Sequence, residues 1–476
     1  MSILMFHEIS ANKYYINKLI KKIIPNENLV YKNYSFINAF ARSIYISQES
    51  DLNSFNLYDD IKKNKLKKKY SLKSYYFYIL IKILYSSKIK NIKIKLNFIK
   101  KHFTKLNIFT KCFFKIYICW ASSDKLSIST DNKKKNIFLN FKNNFSKKIY
   151  EKHISKHFKD YKIVSMSMSN SLFERLLIFF RNLRICWFNS YPTKNYHVLV
   201  LYMKYDIIDY LIKDIDIEKG LFFEGDGPDD DLISGYLRKK KTKTYLFQQG
   251  SYFNKQIPIY LRDLNYDYFF CWGDFYKYKI KKHSPSLKIF SIGRIGRNYK
   301  TTIKKKIIVF ANQNNPSTGA MFYTANKFYE LCKWCLENLK DYKIIVKPHP
   351  KYNVDSKTLS LKKYKKFVLA KQSNDIIDYL HDAQFLIAVS STALIDALSY
   401  RVLPISFMSN SNIQPDLKKH KLGIIVNTLN EAKKTLIINT QNKILFKEKL
   451  NNNKSQYYIK DNFDQNLRQM IKKKII

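Results

Sequence analysis

Tyr342-Lys343-Ile344-Ile345-Val346 runs directly into Lys347-Pro348-His349-Pro350. The apolar run reads as a buried strand. The prolines bracketing His349 stiffen the turn that follows, because each fixes its own φ and restricts the residue before it. Phe385 to Val389 repeats the pattern and ends in Ser390-Ser391-Thr392, and a helical pattern, Ala393 to Leu398, follows at once. Strand ends that pass straight into a loop or helix form the edge at which open α/β sheets bind ligands.

The same rhythm extends in both directions. His197 to Tyr202, Leu221 to Phe223, Thr244 to Phe247, Tyr266 to Cys271 and Leu287 to Ile292 read as strands, with a helix from Asp231 to Lys240. After a basic bridge, Lys300 to Lys306, the rhythm restarts. Ile307 to Ala311, Lys366 to Leu369 and Val402 to Phe407 read as strands, and Ala320 to Leu339 and Asn374 to His381 as helices. Alternating strands and helices imply parallel sheets with helical crossovers. The expected organisation is a basic N-terminal region, residues 1–158; two Rossmann-like domains, 159–300 and 301–450; and a tail helix, 451–476.

A chain of 476 residues holds two or three domains. Its 46% hydrophobic and 16% aromatic content belongs to a folded protein. The net charge of +49 is uneven: residues 1–150 hold 30 Lys and Arg against 8 Asp and Glu. Part of the excess fits AT-rich coding, which favours Lys, Ile, Asn and Tyr; the rest suits an anionic membrane face or nucleic acid. Within Ser71 to Trp120, the alternation from Lys88 to Lys95 suits a half-buried strand, and other stretches fit a helix with a basic face. No RNA-recognition signature or helix-turn-helix pattern is present, so nucleic acid is not an expected partner.

Six scattered cysteines suggest no disulfide framework and a reducing compartment. Cys332 and Cys335 lie in a helical stretch without a second pair or a nearby His, so they read as core residues one turn apart and not as zinc ligands. No signal peptide is recognisable, and the longest apolar run, Tyr75 to Tyr85, is broken by Lys82 and too short to span a bilayer. A cytoplasmic protein is expected, with peripheral contact to an inner membrane suiting its basic third.

Three turns carry chemistry. Ser390, Ser391 and Thr392 offer hydroxyls beside the free N–H groups of a helix start, which suits a phosphate or an ordinary N-cap. A rigid His349 can donate to a leaving phosphate or act as general acid, or simply cap a loop. Lys347 can add positive charge to the same phosphate. Glu224-Gly225-Asp226-Gly227 places carboxylates at a strand end, where one could serve as general base or belong to an acidic turn. A dinucleotide fingerprint is excluded because position 230 is Asp. Asp229-Asp230-Asp231 fits a helix start answering the dipole better than a metal site. There is no GxxxxGK[ST], GxSxG or HExxH.

Taken together, these turns resemble a GT-B glycosyltransferase of bacterial surface-polysaccharide assembly. Lys347-Pro348-His349-Pro350 is similar to the HP motif of bacterial sialyltransferases and polysialyltransferases. Ser390-Ser391-Thr392 resembles their serine/threonine motif, and Glu224-Gly225-Asp226-Gly227 their acidic motif. Gln248-Gln249-Gly250-Ser251 looks like a turn of the wider capsule-synthesis and CDP-glycerol-transfer group, with Gln249 at its His position. The resemblance spans roughly residues 197–410.

It implies an α/β, GT-B-like fold: two Rossmann-type parallel-sheet domains facing a cleft, with a basic N-terminal extension. It implies Asp226 as general base on an acceptor hydroxyl, His349 at the nucleotide phosphate, and Lys347, Ser390, Ser391 and Thr392 as donor-phosphate ligands. No metal and no cofactor are implied. The expected donor is a CMP-activated sugar, a nonulosonic acid, and the expected acceptor a glycan or lipid-linked oligosaccharide at the inner membrane. Gly225 stands where the family has its first acidic residue, which leaves the base open between Asp226 and Glu224. The alternatives are a CDP-glycerol-type phosphotransferase, a nucleotide-sugar epimerase, and a non-catalytic basic membrane- or RNA-binding protein on the same scaffold.

Overall fold

The computed structural model describes residues 29–40, 135–140, 154–159, 161–165, 181–182, 184–185, 196–223, 227–248, 250, 264–296, 304–312, 320–349, 354–389, 391–407, 417, 422–441 and 452–476. The basic stretch Ser71 to Trp120, with its alternation at Lys88 to Lys95, lies outside these. The chain divides into two compact units. One comprises Met1–Phe247, Pro258–Phe269 and His283–Lys288; the other comprises Gln248–Ile257, Phe270–Lys282 and Ile289–Ile476.

The first described element is a hairpin, β1 (Val30–Tyr31) and β2 (Tyr34–Ser35). Lys32 and Asn33 between them both take positive φ, at 48° and 59°. This is the two-residue turn whose twist matches that of the paired strands. β3 (Lys135–Asn140), β4 (Tyr161–Ser165), β5 (Ile217–Phe222), β6 (Lys243–Phe247), β7 (Tyr268–Cys271) and β8 (Lys288–Ser291) form a six-stranded sheet in the order β4-β3-β5-β6-β7-β8. β3 pairs in parallel with β4 and with β5, and β5 with β6. Counted from its own first strand the order is 2-1-3-4-5-6, which reverses direction between β3 and β5.

The run His197 to Tyr202 is not a strand. It opens α1 (Tyr196–Ile212), a helix of 17 residues. Residues 201–208 are all buried, Lys204 and Asp206 included. Burial on every face over residues 201–208 weakens the amphipathic period there, and the apolar run His197 to Tyr202 mimics a buried strand. The sequence beyond them, Ile207-Ile208 and Leu211-Ile212, continues the apolar run past ordinary strand length.

α2 (Pro228–Lys239) begins with proline at its first position, where no N–H is missed. Its three aspartates go to three different partners. Asp229 pairs with Lys204 at 2.5 Å, Asp230 accepts from the Gly227 N–H at 2.9 Å, and Asp231 accepts from the Tyr34 hydroxyl at 3.0 Å. That divergence is the geometry of a helix start. Tyr34 also stacks on Tyr205 and crosses α2 at Gly235, where a Cβ would fall 2.1 Å from its ring. Only glycine lets the hairpin approach so closely.

The second sheet comprises β9 (Ile307–Asn312), β10 (Lys343–Pro348), β11 (Phe367–Leu369), β12 (Phe385–Ala388), β13 (Leu403–Phe407) and β14 (Ile424–Val426). Its order is β11-β10-β9-β12-β13-β14, and every pairing is parallel. Counted from β9 this is 3-2-1-4-5-6, the order of dinucleotide-binding sheets, with the switch point between β9 and β12.

α4 (Ala320–Asn338), which follows α3 (Asp274–Lys281), packs Phe328, Leu331, Cys332 and Cys335 into the core of this sheet. The CxxC pair is thus two core thiols, and burial pushes both well above the ordinary range. Short helices α5 (Ser356–Ser360) and α6 (Ile377–Leu380) flank β11, the latter shorter than the Asn374 to His381 expectation. α7 (Ala393–Ser399) follows β12, and α8 (Leu429–Gln441) closes the sheet.

The tail forms two helices, α9 (Asn452–Tyr458) and α10 (Phe463–Lys472), packed within the second unit on the turns after β7 and β8. The Lys460 N–H donates to the Trp272 carbonyl at 2.8 Å, and the Asn466 amide to the Ile292 carbonyl at 3.1 Å. Gly293, at φ +90°, lies against the Lys460 carbonyl, where a Cβ would sit 2.5 Å away. Among the described residues no helix is long and apolar enough to cross a membrane.

Candidate functional site

The carboxyl edge of the second sheet gathers the histidine turn and the hydroxyl turn. Ala311 in β9 is level with Lys347 on one side and Ala388 on the other. His349 lies two residues beyond that level after β10, and Ser391 three residues beyond it after β12. With strands about 4.8 Å apart, the ends of β10 and β12 are separated by roughly 10 Å across β9. The two turns therefore flank the switch point, where ligands of such sheets are held by main-chain donors and small hydroxyls. Ser390 lies outside the described residues.

The helix after β12 forms because Leu394, Ile395, Ala397 and Leu398 are all buried. The Ser391 hydroxyl accepts from the Ala393 N–H at 3.1 Å. The Thr392 side chain makes no capping bond. Both residues are half-buried.

Lys347 points inward. It is only 4% exposed, and its ammonium donates to the Pro348 carbonyl at 2.7 Å and the Gln372 carbonyl at 3.2 Å. Burial lowers its pKa from the ordinary lysine range, against the opposing pull of Asp375 and Asp378. The Gln372 amide in turn donates to the His349 carbonyl at 3.0 Å.

Asp396, one helical turn beyond Thr392, is buried and takes a hydrogen bond from Arg294, the residue after Gly293. The Arg294 guanidinium also lies over the Trp272 ring, 4.7 Å from its centroid. Gln248 fixes that ring: its side-chain oxygen accepts from the Trp272 backbone N–H at 2.9 Å, and its carbonyl accepts from the indole at 2.8 Å. These contacts fall within the second unit. The motif reading missed Gln372, Asp396, Arg294 and Trp272. A glycine beside Trp272 and another beside Arg294 mark strand ends and are the local signal for those two; Gln372 and Asp396 carry none.

Glu224, Gly225 and Asp226 lie outside the described residues. The chain enters them from Phe223, just past β5, whose carboxyl end is at the switch point of the first sheet. Among the described residues no group of three His, Cys, Asp or Glu side chains is arranged to hold a metal ion.

No protein-family model matches the chain, and no curated protein sequence does. Solved structures do match. A protein assigned as a UDP-N-acetylglucosamine 2-epimerase from Listeria monocytogenes aligns over 72% of this chain and 96% of its own at 13% identity, with a TM-score of 0.50. The UDP-GlcNAc 2-epimerase of Neisseria meningitidis, solved with UDP-GlcNAc, aligns over 71% and 100% at 10% identity and a TM-score of 0.47. TarM of S. aureus aligns over 57% and 58% at 13% identity and a TM-score of 0.37. The Listeria comparison and the two strand orders agree on the fold: α/β and GT-B-like, with two Rossmann-type parallel sheets.

Proposed function

We propose that the protein is a glycosyltransferase that moves a sugar from a nucleotide-activated donor to a glycan hydroxyl. The observation that carries this is the placement of His349 and Ser391-Thr392 on either side of β9 at the sheet's switch point. In this reading residues 301–450 hold the nucleotide, residues 159–300 hold the acceptor, and residues 1–158 face the acceptor or an anionic membrane. The donor is a CMP-linked sugar of the nonulosonic class. Asp226 or Glu224 takes the proton from the acceptor hydroxyl as its oxygen attacks the anomeric carbon. The bond from that carbon to the phosphate oxygen breaks, CMP leaves, and the configuration inverts. Ser390, Ser391 and Thr392 bind the phosphate while His349 donates to it.

The fold shared with the Listeria protein supports nucleotide-sugar epimerisation as a second reading, which uses the same donor grip without an acceptor. Assays of CMP release from CMP-sugars, of CDP-glycerol turnover, and of UDP-GlcNAc epimerisation separate these chemistries. A thermal-shift series with CMP, CDP, UDP and GDP identifies the nucleotide, because a ligand of the native state raises stability. His349→Ala and Asp226→Ala are expected to abolish transfer in a folded protein. Full activity in both variants would refute the assignment.

A further inference from the structure

Two prolines remove two main-chain donors from the histidine turn. Pro348 and Pro350 carry no N–H. The ladder between β10 and β11 pairs Ile344 with Phe367, Ile345 with Val368 and Val346 with Leu369, and its last bond runs from the Ala370 N–H to the Val346 carbonyl at 2.9 Å. Beyond that point side chains supply donors to two carbonyls of the turn. The Lys347 ammonium reaches the Pro348 carbonyl, and the Gln372 amide reaches the His349 carbonyl. Gln372 also accepts from Lys347 through its own carbonyl, so one residue on the neighbouring loop holds the turn from two sides.

We infer that Gln372 and Lys347 are positioning residues that fix the backbone of His349, and through it the direction of the imidazole. Lys347 acts from inside the fold and does not touch the nucleotide. Asp375 on the loop that presents Gln372, and Asp378 in α6, favour its charge against the larger cost of burial. The loop after β11 is thus a tertiary brace for the turn. The catalytic part of this inference rests on the glycosyltransferase reading; the structural part does not.

Three variants test it: Gln372→Ala, the isosteric Gln372→Glu, which replaces the donating amide with an acceptor, and Lys347→Met. The readout independent of turnover is the His349 imidazole resonance in NMR, assigned by its loss in His349→Ala. It is expected to shift or split in all three variants while the folded spectrum elsewhere is retained. The second readout is a kinetic split with CMP-sugar as substrate. kcat falls about 10²-fold, the scale expected when a reacting group is misplaced by about 1 Å, and CMP affinity by calorimetry changes less than about 3-fold. A wild-type imidazole resonance in Gln372→Glu and Gln372→Ala overturns the brace. A loss of CMP affinity in Lys347→Met as large as the loss in kcat returns Lys347 to the role of phosphate ligand. If wild-type protein turns over no sugar nucleotide, the transferase reading fails and the NMR result alone decides the brace.

Discussion

The second sheet is filled mainly by branched aliphatics: Ile308, Ile344, Val346, Ile387, Leu403 and Ile405 form one buried cluster with Phe310, Phe385 and Phe407. The first sheet adds stacked rings to its aliphatics. Tyr245 stacks on Tyr268 at 4.8 Å, Phe223 on Phe247 at 5.0 Å, and Phe222 meets Tyr266 edge-on at 5.0 Å. Aliphatics contribute only area and fit. Rings contribute area too, but tyrosines carry a hydroxyl that must find a partner when buried. Tyr236 finds one in Asp209 at 2.7 Å, whereas the Tyr205 hydroxyl is buried without one. The aliphatic sheet is therefore held mainly by packing, with Tyr342 donating to Gln384 at its margin, and the aromatic one by packing plus a larger set of polar tips.

The largest test concerns the buried ion pair of the second unit, Arg294 with Asp396. Arg294→Met leaves Asp396 as a buried carboxylate without its cation and is expected to cost about 3–5 kcal/mol in urea unfolding. A cost below about 1 kcal/mol would mean that water reaches Asp396. Next, Ile387→Ala opens a cavity in a site that has only packing, with an expected loss of about 2–5 kcal/mol. In the aromatic half Tyr236→Phe removes one hydrogen bond and costs about 0.5–1.5 kcal/mol, while Tyr205→Phe is neutral or stabilising because no bond is lost. A clear loss at Tyr205 would break the distinction between partnered and unpartnered tips.

A separate test is one of pH. Lys304 donates to the carbonyls of Leu380 and His381 at 3.2 and 2.6 Å, and burial lowers its pKa to about 8 from 10.5. The folded state gives up this proton before the unfolded state does, so unfolding takes up a proton between pH 8 and 10.5. Stability of the wild type should rise across that window relative to Lys304→Met, as followed by urea midpoints. A falling difference would show that burial does not dominate at Lys304.

The contrast in materials also decides what the sequence discloses. β9, β10, β12 and β13 are short runs of branched residues ending in turn signals, and each was legible to within a residue or two. β3, Lys135–Asn140, is framed by lysine and asparagine and gave no signal, although it is the first strand of its sheet. α1 mimics a strand at its start because burial on every face over residues 201–208 weakens the helical period. At the site, residue types were legible but directions were not. Lys347 announced a charge beside a histidine, and nothing local says that the charge turns inward. Arg294 and Asp396 are separated by 102 residues, so their pairing exists only in the folded chain.

The turns after β7 and β8 are covered by α9 and α10, and the Asn466 side chain that binds the Ile292 carbonyl follows it by 174 residues. On the ribosome those turns are made first and must wait, with Gly273 and Gly293 bare, until the covering helices have been translated. A chain emerging from its N-terminus folds in units as they become complete, and this unit is complete only after its final helices arrive. The main-chain bond from Lys460 to the Trp272 carbonyl can therefore form only after the second sheet's closing helix has been made.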